Sequence, residues 1–276
     1  MHIPPFIFFG TPDVASETLE ILFTHKILPA LIITAPDRPS GRGMHLTPSP
    51  VKVWAVSHNI PVLTPEQIDS IFLSRLQSEI FILAIVVAYG KILPRDLIES
   101  FPLGVLNIHY SLLPKYRGAS PVESALLHGD TETGVAIQKM VHELDAGDIV
   151  AMEKVDILPT DTTTTLRTRM IHIGALLLIR ILPEYVRGAH VSIAQDHSQA
   201  SRCGKIKKQD GDLTHETSDR VKWNKYRAYN QWPRTYFFRN NKRIVISKAT
   251  FENDTFTIKK IIPEGKKETD YSTFNQ

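Results

Sequence analysis

The 276-residue sequence has a single cysteine, Cys203. No disulfide can form within the chain and no cysteine-rich zinc site can exist, which makes a reducing compartment the simpler expectation. Long apolar runs are also missing. The longest, Ile80 to Ala88, is half of what crosses a bilayer as a helix. A second, Ile171 to Leu182, is interrupted by Arg180 and ended by Pro183. The start, Met1-His2-Ile3-Pro4-Pro5, lacks the basic stretch and small-residue cleavage site of a secretory signal, and the Arg/Ser-rich pattern of a transit peptide. A soluble, cytoplasmic protein is expected. Internal repeats and low-complexity tracts are absent. Gly41-Arg42-Gly43 lacks the third glycine of a dinucleotide fingerprint and sits in a loop too rich in proline to open a helix, which argues against a nicotinamide enzyme.

Present instead is ordinary globular material: 42% hydrophobic and 22% charged residues, enough for a sizeable core and too apolar for wholesale disorder. The net charge of +3 is unevenly distributed. Residues 1–200 hold 15 Lys+Arg against 20 Asp+Glu, a balance of −5; residues 201–276 hold 17 against 9, a balance of +8. A basic tail on a near-neutral body suits a polyanionic partner, although a solvated basic surface has the same composition.

Up to about residue 190, strand-like and helix-like patterns alternate. Phe6 to Phe9, Leu31 to Ile33, Ile80 to Val87 and Val105 to Ile108 read as strands, with an amphipathic stretch from Asp13 to Phe23 between the first two. The run from Ile80 is apolar without alternation, as in a central strand covered on both faces. The pattern predicts a doubly wound, mostly parallel α/β sheet. Val135 to Val141 and Ile149 to Ile157, turning at Asp145-Ala146-Gly147, predict an antiparallel pair at its edge. Asp161 is positioned to cap a long helix running to about Tyr185. Residues 191–204 read as a linker. After it, Thr235 to Phe238, Arg243 to Ser247 and Phe256 to Ile262 suggest a smaller β domain over 205–276.

The densest chemical signal is Asn107-Ile108-His109-Tyr110-Ser111-Leu112-Leu113-Pro114-Lys115-Tyr116-Arg117-Gly118-Ala119, at the carboxyl end of a predicted strand, where open α/β sheets bind ligands. Asn107 and His109 are two apart and face the same way on an extended strand. An amide and an imidazole side by side can hold a carbonyl oxygen and move a proton. An isolated histidine is more often structural, and an aspartate in a turn, such as Asp145 in Leu144-Asp145-Ala146-Gly147-Asp148, more often bonds its own backbone. The loop from Pro36 to Pro50 is long for a mere connection.

These pieces together resemble the methionyl-tRNA formyltransferases, within the wider group that uses 10-formyltetrahydrofolate as formyl donor. The resemblance covers most of the chain. It rests on Phe9-Gly10-Thr11-Pro12, on Pro36-Asp37-Arg38-Pro39-Ser40-Gly41-Arg42-Gly43 with Pro48-Ser49-Pro50-Val51-Lys52, on Ala88 to Pro94, on the Asn107 segment, and on Leu144 to Asp148. In the tail, Asn230 to Pro233 and Pro263 to Lys267 also look alike. The Asn-x-His-x-Ser-Leu-Leu-Pro and Leu-Asp-x-Gly pieces mark the wider group; the Arg42 loop points to the tRNA branch.

The resemblance implies a formyltransferase catalytic domain over 1–190 and a small basic tRNA-binding β domain over 205–276, barrel-like and shortened, since only 34 residues follow Lys242. It implies catalytic roles for Asn107, His109 and Asp145, and tetrahydrofolate contacts from Ser111, Leu112, Leu113 and Pro114. Arg42 would approach the acceptor end of tRNA, although Met44-His45 stands where further basic residues are common. Lys205, Lys207 and Lys208 form a basic cluster that could contact phosphate or simply face water. The expected co-substrate is 10-formyltetrahydrofolate, the expected partner charged initiator tRNA, and the expected state a monomer with no metal and no membrane. Two alternatives stand beside this reading: a sugar-nucleotide N-formyltransferase, and a catalytically silent tRNA- or folate-binding protein.

Overall fold

The computed structural model describes residues 3–41, 43–69, 72, 74, 76 and 81–274. It divides into two compact units. One comprises residues 1–117, 134–154 and 170–201; the other comprises 118–133, 155–169 and 202–276.

The first unit is built on β1 (Phe6–Gly10), β2 (Leu31–Ile33), β5 (Val62–Leu63), β6 (Leu83–Val87), β7 (Val105–His109), β9 (Glu132–Lys139) and β10 (Ile149–Asp156). They form one seven-stranded sheet in the order β10-β9-β7-β6-β1-β2-β5. The pairs β2–β5, β1–β2, β1–β6 and β6–β7 are parallel, while β7–β9 is antiparallel. Every residue of β1, β6 and β7 is buried. Unbroken apolar strands of this kind stay in place only when helices cover both faces. On one face Ile7, Phe9, Ile33, Ala84, Val86, Leu97 and Val105 share a core. On β10, by contrast, burial alternates, as suits an edge strand with one wet face. The chain builds outward from β1 to β2 and β5, then crosses to β6 and β7. The carboxyl ends of β1, β6 and β7 therefore flank the point where strand order reverses, the customary ligand position in such sheets.

The strand expected from Ile80 begins at Leu83; Ile80 itself lies outside the described residues. The loop between Pro36 and Pro50 is a short hairpin, β3 (Arg38–Ser40) against β4 (His45–Thr47). It leads into helix α2 (Pro50–Ser57), which follows α1 (Asp13–Thr24). Ser49 caps α2 by accepting from the Lys52 amide at 3.0 Å, and Pro50 opens the helix where its missing N–H costs nothing. Lys52 in turn holds both oxygens of Asp37, at 2.7 and 2.8 Å. The Pro-Ser-Pro-Val-Lys piece is thus a cap and a tie at the hairpin's base.

Helix α3 (Arg95–Glu99) follows β6, and α4 (Pro121–His128) follows the two-residue β8 (Arg117–Gly118). The long helix α5 (Thr163–Val186) continues through Pro183, which the sequence suggested would end the apolar run. Its start corrects the expected cap. Thr162 and Thr165 bond each other's amides through their hydroxyls, at 3.0 and 3.4 Å. Asp161, only 3% exposed, instead gathers the Leu158 amide, the Thr165 hydroxyl and both terminal nitrogens of Arg169, all within 2.9 Å. Burial pushes this carboxyl up, but those donors outweigh it and hold it below the ordinary value of 3.8. A lowered carboxyl pKa adds stability that is complete above the ordinary value and fades as pH falls below it. Asp161→Asn should cost about 1–3 kcal/mol at pH 7. Its melting temperature should converge on that of the parent chain as pH drops below about 4; a gap independent of pH would contradict this.

The second unit carries α6 (Asp219–Ala228), unanticipated from the sequence, and an antiparallel sheet in the order β12-β13-β14-β15. Its strands are β12 (Tyr236–Arg239), β13 (Lys242–Glu252), β14 (Thr255–Pro263) and β15 (Thr269–Asp270), followed by α7 (Tyr271–Phe274). The β12–β13 and β13–β14 turns each use two left-handed residues, Asn240-Asn241 and Asn253-Asp254, the residue types that best tolerate positive φ. Leu213, Ile246 and Ala249 form the core, with Tyr226, Phe237, Phe256 and Ile258 against it.

The stretch expected as a linker is structured. Ile193 exchanges two backbone hydrogen bonds with Ile149, at 2.8 and 2.9 Å; Gln195 is buried; and His197–Gln199 form a 3-10 turn before β11 (Arg202–Cys203). Among the described residues no helix is long and apolar enough to cross a membrane.

Candidate active site

Asn107 and His109 occupy the last turn of the pleat of β7. The register sets Asn107 against Val86 on one side and Gln138 on the other, with His109 against Ala136. Both side chains are buried, Asn107 at 9% exposure and His109 at 5%. The period of two that placed them together in the sequence thus projects an amide and an imidazole from one strand end.

The His109 ring sits between two acceptors. Nε2 donates to the Tyr116 carbonyl at 2.9 Å, and Nδ1 lies 3.6 Å from Asp145 Oδ2. Asp145 itself stands in the β9–β10 turn with φ +50°, an uncommon conformation for a residue with a side chain. Its side chain is 11% exposed. Oδ1 accepts from Gln138 Nε2 at 2.8 Å, leaving Oδ2 toward the imidazole.

The segment after His109 is a fixed loop. Ser111 is fully buried and donates to the Lys115 carbonyl at 2.5 Å; Leu113 is 2% exposed and the Leu113–Pro114 peptide is cis. Leu112 and Pro114 are half-buried beside them. Lys205, Lys207 and Lys208 are all exposed and belong to the second unit. Arg42 lies outside the described residues. The structure thus brings together Asn107, His109 and Asp145, with the Ser111–Pro114 loop following directly. Among the described residues no group of three or more His, Cys, Asp or Glu is placed to hold a metal ion.

Sequence reasoning passed over Gln138, Arg117 and Gln195. Gln138 lay within a predicted strand, but its pairing with Asn107 depends on register, which no local pattern revealed. Arg117 stood inside the chemical motif without an evident task. Gln195 was hidden in a stretch whose composition read as a connector.

The doubly wound sheet is that of a formyl transferase. The sequence matches the Formyl transferase family over residues 5–182 and the Formyl transferase, C-terminal domain family over residues 205–270. It is 42% identical over 249 residues to the methionyl-tRNA formyltransferase of Chloroflexus aurantiacus, which spans 88% of this chain and 79% of that relative. The chain belongs to the methionyl-tRNA formyltransferase family. Solved structures share the fold at low identity. An N-formyltransferase from Helicobacter canadensis, in complex with folinic acid and dTDP-3-aminofucose, superposes with a TM-score of 0.68 at 18% identity, covering 90% of this chain and 88% of the other. The methionyl-tRNA formyltransferase from Clostridium thermocellum gives 0.63 at 14%, covering 94% and 98%.

Proposed function

We propose that this protein transfers the formyl group of 10-formyltetrahydrofolate to the α-amine of methionyl-tRNA, giving N-formylmethionyl-tRNA for translation initiation. The observation that carries the reading is the buried Asn107–His109 pair at the end of β7, faced by the half-buried Asp145 of the β9–β10 turn, in a chain 42% identical to a methionyl-tRNA formyltransferase. The neutral amine attacks the formyl carbon, forming a C–N bond and a tetrahedral oxyanion. Collapse of that intermediate breaks the bond to N10 of the folate. Asn107 donates its amide N–H to the oxyanion, and the imidazolium of His109, held between Tyr116 and Asp145, adds positive charge beside it. The Asp145 carboxylate takes up the proton lost by the amine, directly or through an ordered water, and returns it by the same route to the departing N10, while His109 keeps both of its protons. Ser111 to Pro114 hold the folate, residues 1–190 carry catalysis and 205–276 carry tRNA contacts, with Arg42 near the acceptor end. The protein acts in the cytoplasm as a monomer.

The deciding experiment offers 10-formyltetrahydrofolate with either charged initiator tRNA or a dTDP-amino sugar. Formylation of the tRNA alone supports the proposal; formylation of the sugar, or of neither, overturns it.

The exposed lysines make a second expectation. Lys205→Glu, Lys207→Glu and Lys208→Glu together should weaken tRNA binding and flatten its dependence on salt by about one unit of log–log slope per lost phosphate contact. Transfer at saturating tRNA should hold. Unchanged affinity and slope would make these lysines a solvated surface.

A further inference from the structure

His109 is positioned by two neighbours that both occupy unusual backbone conformations. Tyr116, whose carbonyl accepts from Nε2, has φ +57°, and Asp145, facing Nδ1, has φ +50°. Non-glycine residues persist in this region only where their surroundings fix them, because each costs on the order of 1 kcal/mol or more. Both are held by one short segment of the chain, residues 195–201.

Gln195 holds the Asp145 side. It is 5% exposed, and its Nε2 donates to the Asp145 carbonyl at 2.9 Å and to the Gly147 carbonyl at 2.6 Å. Its Oε1 accepts from Arg117 Nε at 3.1 Å and Nη2 at 2.7 Å. Both donors and both acceptor positions of the amide are used. Arg117 is 3% exposed, and Nη2 also donates to His197 Nδ1 at 3.2 Å. Ser201 holds the other side. Its hydroxyl accepts from the Tyr116 amide at 2.9 Å, its carbonyl from the Arg117 amide at 2.8 Å, and its own amide donates to the Pro114 carbonyl at 3.2 Å. Arg117 joins the two ends, its backbone bound to Ser201 and its guanidinium to Gln195.

We infer that residues 195–201 act as a strap that sets the separation of Tyr116 and Asp145 around His109, and that Gln195 is a positioning residue for formyl transfer. The inference rests on the proposed catalytic roles of His109 and Asp145. A connector with no role in the site has no need of a buried glutamine with four satisfied bonds to two separate loops. The glutamine amide is specific here, because a carboxylate of the same size cannot donate to two carbonyls.

Gln195→Glu tests this directly. It preserves volume and the contact to Arg117 but sets a carboxylate oxygen against the Asp145 and Gly147 carbonyls. The expected result is a fall in kcat of about 10- to 100-fold, in keeping with the rate lost when reacting groups are displaced by about 1 Å. KM for methionyl-tRNA and for 10-formyltetrahydrofolate should stay within about threefold, because the groups moved orient the reaction and do not form the tRNA surface. Ser201→Ala is the companion: it removes a single bond to Tyr116, and kcat should fall about three- to tenfold with melting nearly unchanged. A purely structural role would lower melting temperature and active fraction while the folded enzyme kept its kcat, measured by single turnover per folded site. A folded Gln195→Glu enzyme with kcat within twofold of the parent overturns the inference. Should that variant not fold, parental kcat in Ser201→Ala does so. An active parent with unaffected variants removes the strap alone; a parent chain unable to formylate methionyl-tRNA removes the reading on which it rests.

Discussion

Asn107→Ala is expected to slow single-turnover formyl transfer by about 10²–10³-fold, the loss seen when one preorganised oxyanion donor is removed. Thermal unfolding should stay close to that of the parent. The strand does not need this side chain for its ladder: β7 pairs with β6 and β9 through the main chain, and Asn107 is matched there to Val86 and Gln138. What the substitution removes is an amide N–H at the carboxyl end of a rigid, fully buried strand. Asn107→Asp separates shape from chemistry. It keeps the size but cannot donate when ionised, so it should be at least as slow as alanine. Ground-state binding of the folate should change little in either variant, since the donor is proposed to act on charge that develops during the reaction. Turnover within tenfold of the parent in a well-folded Asn107→Ala enzyme would remove Asn107 from the mechanism.

The sequence exposed one part of this site and concealed another, for physical reasons. Asn107 and His109 were readable together because a strand repeats every two residues, and the apolar run before Val87 was readable as a central strand because burial on both faces leaves no polar positions. The Asp145 turn was visible as a turn. That it reaches the imidazole depends on β9 lying beside β7 in one particular register, which is tertiary information. Gln195 could not be found by composition at all, since Ala194-Gln195-Asp196-His197-Ser198 is what a solvated connector also looks like. In the second unit, α6 was missed because DRVKWNKYRA has too few apolar residues for periodicity, although Ser218, which accepts from the Val221 amide at 3.4 Å, was an available cap signal. Nor does unit membership follow chain order: 118–133 and 155–169 fold with the tail, and no linear reading of a linker anticipates that.

Gly147→Ala should be the most damaging single-methyl change in the first unit's site. A Cβ built there falls 1.8 Å from the Lys139 carbonyl oxygen and 2.9 Å from its carbon, so backbone must move. The obstacle is a neighbouring main chain rather than the glycine's own φ. Three contacts move with it. Lys139 donates to the Asp148 carbonyl at 2.9 Å, closing the hairpin; the Gly147 carbonyl is one of the two acceptors of Gln195; and Lys139 follows Gln138, which holds Asp145 Oδ1. Overpacking of this kind costs about 1–3 kcal/mol, and here it also pushes the Asp145 carboxylate away from His109. The expected result is a melting temperature lower by several degrees and a kcat lower by about 10²-fold, more than the stability loss alone would give. Gly204→Ala is the control, because a Cβ there meets nothing within 4 Å; it should leave both quantities near their parental values. If Gly147→Ala retains parental kcat in its folded fraction, the turn tolerates displacement, and the distance from Asp145 to His109 is not what limits formyl transfer.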